Sequence, residues 1–293
     1  MRAVKERANA KINLHLDVIS RRDDGFHDIK TVMHSISLAD DITVTYTPSN
    51  ETVIRLSVNG NKFLPTDDKN LATRAAACYL NAACRTANID IKLNKKIPVS
   101  AGLAGGSSDA AATLRAMNRL FGKMFSEAAL FEMAATLGSD VPYCLYGKTA
   151  LCEGRGEIIT KLPDTLKLCV VVAISNERVS TPAAYSELDK IYSSFDGSVK
   201  TGGDSYFSDL ISAIKGGKAL PGTLFNVFES ATFNKCRGAK SIKEKMLLLG
   251  ADCALMSGSG PSVFGVFKSI DEAERARTAL LLDGISAYTA TTV

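Results

Sequence analysis

Pro98-Val-Ser-Ala-Gly-Leu-Ala-Gly-Gly-Ser-Ser-Asp-Ala-Ala-Ala112 is a glycine- and serine-rich loop that runs straight into a helical pattern. Gly102, Gly105 and Gly106 let backbone N–H groups approach a ligand closely, because no Cβ intervenes. Ser107, Ser108 and Asp109 are favourable N-cap residues. Behind them Ala110, Leu114, Met117 and Phe121 recur at helical spacing, and Gly122 stands where a C′ glycine would end the helix. A helix start fronted by N–H groups and a positive dipole end is an anion site, and the commonest such anion is phosphate. The alternative is a tight turn before a well-capped helix; the loop's length and its glycines and serines favour phosphate. A Walker A loop needs G-x-x-x-x-G-K-[ST], and no lysine lies in this loop. The glycine spacing does not give the G-x-G-x-x-G dinucleotide fingerprint either.

The chain has 293 residues, room for one large domain or two, and 46% of them are hydrophobic, which suits a globular core. Its 35 basic and 31 acidic residues leave a net charge of +4. That balance gives no case for nucleic acid but is compatible with small anionic substrates. Seven scattered cysteines without a C-x-x-C, and three histidines (His15, His27, His34), argue against a disulfide framework or a zinc site and for a reducing cytoplasm. No signal-type h-region and no membrane-length apolar run is read.

Along the chain, Ile12, Leu14, Leu16 and Val18 alternate with polar neighbours as in a half-buried strand. Asp24-Gly25 marks a turn, and alternating segments follow over Ile29–Met33, Ile36–Leu38 and Ile42–Tyr46. A strand through Ile54, Leu56 and Val58 ends at Asn59-Gly60, a hairpin-type turn. Asn70 caps an alanine-rich helix to about Cys84. Ile89, Ile91 and Leu93 form the strand that feeds the glycine loop, and Ser126 caps a helix ending at Gly138. A break near Lys161-Leu-Pro-Asp164 divides the chain into domains 1–163 and 164–293. Past it come a strand (Leu168–Ile174), a helix capped by Thr181 with Pro182 at N1, and an exposed connection over Gly197–Asp204. The remainder reads helix (Ala239–Leu249), strand (Cys253–Met256), loop (Ser257–Pro261), strand (Ser262–Phe267), helix (Asp271–Leu282) and strand (Ala287–Thr291). Two such units around a hairpin predict a ferredoxin-like α+β domain.

Four constellations carry chemistry. Lys11 and Asn13 share a strand face with His15 and Asp17; taken alone this reads as a solvated face. Asp140 follows a helix end and precedes Val141-Pro142, where proline biases Val141 to an extended backbone. It is either a turn cap or a carboxylate aimed at a substrate hydroxyl. Ser257-Gly-Ser-Gly-Pro-Ser262 is a hairpin or a second wall of N–H and hydroxyl donors. Glu153-Gly-Arg-Gly-Glu157 reads as a turn.

Three segments together, Ala8-Asn-Ala-Lys-Ile-Asn-Leu14, Pro98–Ala112 and Met256-Ser-Gly-Ser-Gly-Pro-Ser262, resemble the three motifs of the GHMP kinase superfamily, in order and sensibly separated. Within it, Lys11-Ile-Asn-Leu-His-Leu16, Asp24-Gly-Phe-His-Asp28 and Gly138-Ser-Asp-Val-Pro142 resemble members whose acceptor is 4-diphosphocytidyl-2-C-methyl-D-erythritol. The similarity spans nearly the whole chain, apart from Asp189–Phe225. It implies a two-domain α+β fold, with a ribosomal-protein-S5-like first domain, a ferredoxin-like second one and the active site in the cleft. The implied reaction moves the γ-phosphoryl of ATP to the acceptor's tertiary 2-hydroxyl, a step of the non-mevalonate route to isoprenoids. The resemblance assigns Lys11 and Asp140 as the catalytic pair. Pro98, Val99, Ser100, Ala101, Gly102, Leu103, Ala104, Gly105, Gly106, Ser107 and Ser108 match the ATP-phosphate loop. Asn13, Phe26, His27 and Tyr185 fall at substrate contacts, with Phe26 and Tyr185 about the cytosine ring. Mg²⁺ is expected with the ATP, Ser107 being a candidate ligand. The loop departs from the family's usual pattern at Ala104, whose methyl fits if φ stays below zero, and Phe26 replaces the commoner tyrosine. The expected partner is the small-molecule substrate, with neither nucleic acid nor membrane, and the protein is a monomer or homodimer. A homoserine, mevalonate or sugar kinase of the same superfamily is the alternative, and a non-catalytic nucleotide- or RNA-binding protein a third reading.

Overall fold

The structure, a computed structural model, describes residues 1–177, 179–192, 201–218, 220 and 224–293. In chain order the elements are β1 (Arg2–Arg21), β2 (His27–Pro48), β3 (Val53–Asn59), α1 (Leu71–Ala82), β4 (Ala87–Asn94), α2 (Gly105–Leu120), α3 (Glu127–Leu137) and α4 (Val141–Tyr146). Then follow β5 (Thr149–Glu153), β6 (Ile158–Lys161), β7 (Cys169–Ile174), α5 (Thr181–Ile191), α6 (Gly203–Gly216), β8 (Phe225–Asn226) and α7 (Phe228–Thr232). The chain finishes with α8 (Arg237–Leu248), β9 (Cys253–Met256), β10 (Ser262–Phe267), α9 (Ile270–Leu282) and β11 (Ser286–Thr291). They form two compact units. Unit 1 is Met1–Ala10, Ala39–Val99 and Ala104–Gly147; unit 2 is Lys11–Leu38, Ser100–Leu103 and Lys148–Val293. Strands β1 and β2 therefore contribute residues to both.

In unit 1, β4 runs antiparallel to the second half of β2, from Asp41 opposite Asn94 to Pro48 opposite Ala87. Strand β3 pairs with β4 in parallel, so Asn59-Gly60 is not the hairpin turn its letters predict. A parallel partner needs a crossover, and α1 supplies it. Gly60 has φ +86°, and a Cβ there would run into the carbonyl oxygen of Lys95, so the position needs glycine on both counts. Asn70 caps α1 as predicted, accepting from the Ala72 N–H at 3.0 Å. Ser126 likewise caps α3, accepting from the Ala129 N–H at 3.3 Å. At the end of α2, Lys123 N–H reaches Asn118 O (2.6 Å) and Gly122 N–H reaches Arg119 O (3.2 Å). This is a Schellman motif around left-handed Gly122.

In unit 2, the sheet order β11-β7-β10-β9 has every pair antiparallel. With α5–α8 between β7 and β9, and α9 between β10 and β11, this is the ferredoxin-like pattern expected. Helix α5 begins one residue earlier than read: Ser180 is its N-cap and Pro182 its second residue. Of Gly197–Asp204, residues 197–200 lie outside the described residues, and α6 starts at Gly203. The two-residue β8 pairs in parallel with β1, His15 opposite Phe225 and Leu16 opposite Asn226. On β1 both faces are buried: Lys11, Asn13, His15 and Asp17 are each at most 4% exposed. The solvated face expected for them is thus corrected. Among the described residues no helix is long and apolar enough to cross a membrane.

Candidate active site

Unit 2 gathers the β1 polar face, residues Ser100–Leu103 of the first glycine-serine loop and the whole of the second. Lys11 Nζ donates to Asn13 Oδ1 at 2.7 Å. The same oxygen accepts the Gly258 N–H at 2.9 Å. Asn13 Nδ2 donates to Thr31 Oγ1 at 2.8 Å, and that hydroxyl donates to the carbonyl of His15 at 2.6 Å. The asparagine is thereby locked with its oxygen toward the ammonium and its amide toward β2. The Lys11 N–H donates to Leu103 O at 3.2 Å, which ties the phosphate loop to β1. Ser257 Oγ donates to Gly102 O at 3.0 Å, and Ser262 Oγ to Ala101 O. Gly102 has φ +74°, and a Cβ on it would sit 2.2 Å from Ser257 O. The two loops are in backbone contact, so the second is a wall of the site rather than a plain hairpin. Asn226 holds that wall from β8, its Nδ2 donating to Met256 O (2.7 Å) and Gly258 O (2.8 Å).

The same unit builds an aromatic subsite. The His27 ring stacks on Tyr185, 4.7 Å between centroids and 20° between planes. His27 Nε2 lies 2.7 Å from Asp189 Oδ1. Tyr185 in turn meets the edge of Phe228 at 4.8 Å. Phe26 is 53% exposed and carries the Arg155 guanidinium 5.1 Å from its ring centroid. One face of Tyr185 is therefore taken by His27 and one face of Phe26 by Arg155. Helix α5 links this subsite to the glycine-serine wall: Thr181 Oγ1 is 2.9 Å from Ser259 Oγ at its start, and Asp189 holds His27 near its end. The eight residue steps of helix from Thr181 to Asp189 span ~12 Å.

Unit 1 supplies the helix start and a carboxylate. Helix α2 begins at Gly105, and its N-cap is Ala104, with φ 56°, ψ 31° and no side-chain cap. Both expectations there are corrected: Ala104 is left-handed, and Ser107, Ser108 and Asp109 lie inside the helix. Ser108 Oγ turns back to Gly105 O at 3.0 Å. With no side chain closing this end, its first-turn N–H groups suit a ligand's oxygens. Of the loop residues before it, Val99 and Ser100 are exposed, Pro98 is half-buried, and Ala101 and Leu103 turn inward. Asp109 is buried on Lys95, whose Nζ lies 2.7 Å from Asp109 Oδ2 and 2.5 Å from Asp40 Oδ2. Burial pushes the Asp109 carboxyl up to about 8, the Lys95 charge pulling it down and Asp40 adding to the rise. Asp140 precedes α4, half-buried, and makes no side-chain cap to it. That removes the capping role its position offers. Val141, predicted extended, opens α4 instead, with Pro142 in the first turn where no N–H is needed.

The predicted residues thus fall into groups. Lys11, Asn13, Ala101, Gly102 and Leu103 come together in unit 2, His27 and Tyr185 form a second cluster there, and Phe26 stands with Arg155. Gly105, Gly106, Ser107, Ser108 and Asp140 belong to unit 1. Thr31, Asn226, Asp189 and Lys95 were not singled out by the sequence. Asp189 alone carried a signal, since it lies four residues beyond Tyr185 and so on the same helix face. Among the described residues no group of three or more His, Cys, Asp or Glu side chains could hold a metal by itself.

The family model of the GHMP kinases N terminal domain matches residues 70–148, and that of the GHMP kinases C terminal domain residues 210–284. The 4-diphosphocytidyl-2-C-methyl-D-erythritol kinase of Bacillus velezensis is 42% identical over 94% of this chain and 92% of its own length. That of Macrococcus caseolyticus is 38% identical over 94% and 95%. Among solved structures, a 4-(cytidine 5'-diphospho)-2C-methyl-D-erythritol kinase superposes with a TM-score of 0.81 at 33% identity, covering 99% of both chains. Homoserine kinase from Cytophaga hutchinsonii shares the fold, with a TM-score of 0.77 at 21% identity over 100% of this chain and 95% of its own. Buried lysine, paired glycine-serine loops and end-to-end similarity agree: the chain belongs to the 4-diphosphocytidyl-2-C-methyl-D-erythritol kinase family of the GHMP kinases.

Proposed function

We propose that this chain transfers the γ-phosphoryl of ATP to the 2-hydroxyl of 4-diphosphocytidyl-2-C-methyl-D-erythritol, in the non-mevalonate route to isoprenoid precursors. The observation that carries the reading is Lys11 and Asn13 held against two glycine-serine loops in backbone contact. Phosphoryl transfer asks for positioning and charge stabilisation more than covalent help. Residues Pro98–Ser108 hold the ATP phosphates, through N–H groups and the start of α2. Asp140 orients the acceptor hydroxyl and accepts its proton. Lys11 offsets the negative charge that builds on the reacting oxygens. The donor set for Mg²⁺ is hard oxygen: phosphate oxygens with the half-buried Ser107 hydroxyl, which fits an ion that is rarely caged by protein alone. When bound it neutralises phosphate charge. Asn13, Phe26, His27 and Tyr185 recognise the acceptor, its base taken by the aromatic residues. The ~12 Å of α5 between Thr181 and Asp189 is comparable with the extended run of atoms between the acceptor's 2-hydroxyl and its base. The same reading has the enzyme working in the cytoplasm as a monomer or homodimer, with functional domains 1–163 and 164–293.

Purified protein with Mg-ATP should phosphorylate the cytidyl acceptor in preference to homoserine, mevalonate or galactose. Asp140→Asn and Lys11→Ala should each lose most of kcat with circular dichroism unchanged. Preference for another acceptor, or full activity in both variants, overturns the assignment.

A further inference from the structure

The phosphate loop has no lysine of its own, so its grip on an anion depends on where its N–H groups point. Both of its ends meet one buried charge cluster in unit 1. Asp40 is fully buried and holds the entry: its Oδ1 accepts the Lys96 N–H at 2.5 Å and the Ile97 N–H at 2.8 Å. Its other oxygen binds Lys95 Nζ, and that ammonium reaches across to Asp109 on the first turns of α2. Lys95 is itself anchored, its N–H donating to Asn59 O at 2.8 Å. Its ammonium also fills the space beside the helix start. A Cβ on Gly105 would lie 3.0 Å from Lys95 Nζ and 3.1 Å from Ile97 Cγ2, so the first residue of α2 rests directly on the cluster.

Stability alone is a poor reason for such a cluster. One ammonium and two carboxyl groups are withdrawn from water at a cost that their attraction barely repays. Asp109 Oδ1 is buried with no hydrogen-bond partner, a further cost that an apolar packing would avoid. What the cluster does supply is geometry, since it ties the residues before the loop to the helix after it through a single ammonium.

We propose that Asp40, Lys95 and Asp109 are positioning residues that set the register between the loop's entry and the start of α2, and that ATP binding depends on them. The inference rests on the reading of Pro98–Ser108 as the ATP loop. The ammonium of Lys95 is spent on the two carboxyl groups, so its role is to aim the loop rather than to bind phosphate.

The test separates nucleotide from acceptor. Asp109→Ala cuts the link to α2, and Asp109→Asn keeps one oxygen that can accept from Lys95 Nζ. Steady-state kinetics should show KM for ATP raised about tenfold in Asp109→Ala, equivalent to ~1.4 kcal/mol, and about threefold in Asp109→Asn. KM for the acceptor should stay within about twofold. Wild-type KM for ATP in Asp109→Ala, whatever its melting temperature, overturns the proposal and leaves the cluster a plain structural ion pair. Should Asp109→Ala not fold, Asp109→Asn carries the same test, and wild-type KM for ATP there has the same consequence. A wild-type protein without ATP-dependent turnover would instead overturn the reading of the loop, a separate result from equal KM values in active variants.

Discussion

Replacing His15 with phenylalanine should change how stability depends on pH. The His15 ring is 1% exposed, with centroids 5.3 Å from Phe207 and 5.7 Å from Phe225, and both its nitrogens are buried without a hydrogen-bond partner. Burial, with the Lys30 charge second, holds its pKa down at about 4 from 6.5. The unfolded chain therefore takes up a proton at this residue between pH 6.5 and 4 that the native chain refuses. Stability is lost as pH falls through that window, and the loss is complete below about 4. For His15 alone the cost at pH 5 is about 2 kcal/mol and at its limit about 3 kcal/mol. The pH slope of the whole protein is not diagnostic. His34, buried and also held at about 4, adds to it, whereas Asp109 and Asp17 oppose it. Their raised pKa values mean that the native state keeps protons the unfolded chain has lost. The difference between His15→Phe and wild type isolates one residue. Urea unfolding at pH 7 and pH 5 should show the variant at least as stable at pH 7, since two unpartnered nitrogens are removed. It should gain about 2 kcal/mol on wild type at pH 5. Curves that stay parallel within about 0.5 kcal/mol would refute the assignment of a buried, neutral imidazole.

Ala104→Gly should relieve the left-handed backbone at the start of α2, worth about 1 kcal/mol, partly offset by the freer unfolded chain. Ala104→Val should act in the opposite sense, and a urea midpoint that falls for glycine would contradict the φ of 56°. Asp189→Asn weakens the 2.7 Å contact to His27 Nε2 and should raise KM for the cytidyl acceptor about tenfold. KM for ATP should not change, and an equal rise in both would mean that Asp189 is not an acceptor-side residue.

What was legible in the sequence was local. The apolar strands β7, β9, β10 and β11 and the helices α5, α8 and α9 could be read almost residue by residue, whereas α6, β8 and α7 were not read at all. Strand β1 was legible as a strand, but its polar face was not legible as buried. The cover comes from Gly258 and from β8, more than 200 positions away, and no periodicity carries that information. Ser107, Ser108 and Asp109 each make a good cap in isolation. The helix starts before them because two glycines and a left-handed alanine let the backbone turn earlier, and Asp109 is drawn to Lys95 instead. Asn59-Gly60 has the chemistry of a hairpin, but the pairing partner of β3 is chosen by the sheet, beyond the reach of two letters. Lys11 and Asn13 became legible only alongside the two loops. Their own segment gives no reason why an asparagine should face a buried ammonium. Asp189 could be placed on the helix face of Tyr185, but its pairing with His27 could not be read, because that partner lies 162 positions earlier in the chain.

The interleaving of the two units has a consequence for biosynthesis. Unit 1 draws on nothing beyond Gly147, whereas Lys11–Leu38 of unit 2 packs with a segment that runs to Val293. At ~5–20 residues per second, that early stretch waits on the order of 10–50 s for the ribosome to deliver its partners. Through that interval β2 can pair with β5, made by residue 153, but the β1 face still lacks Gly258 and β8. For the same reason no single cut in the sequence yields two self-sufficient halves. A fragment ending near residue 147 would carry Lys11 and Asn13 without Gly258, and the two fragments would have to be combined before the β1 network could form.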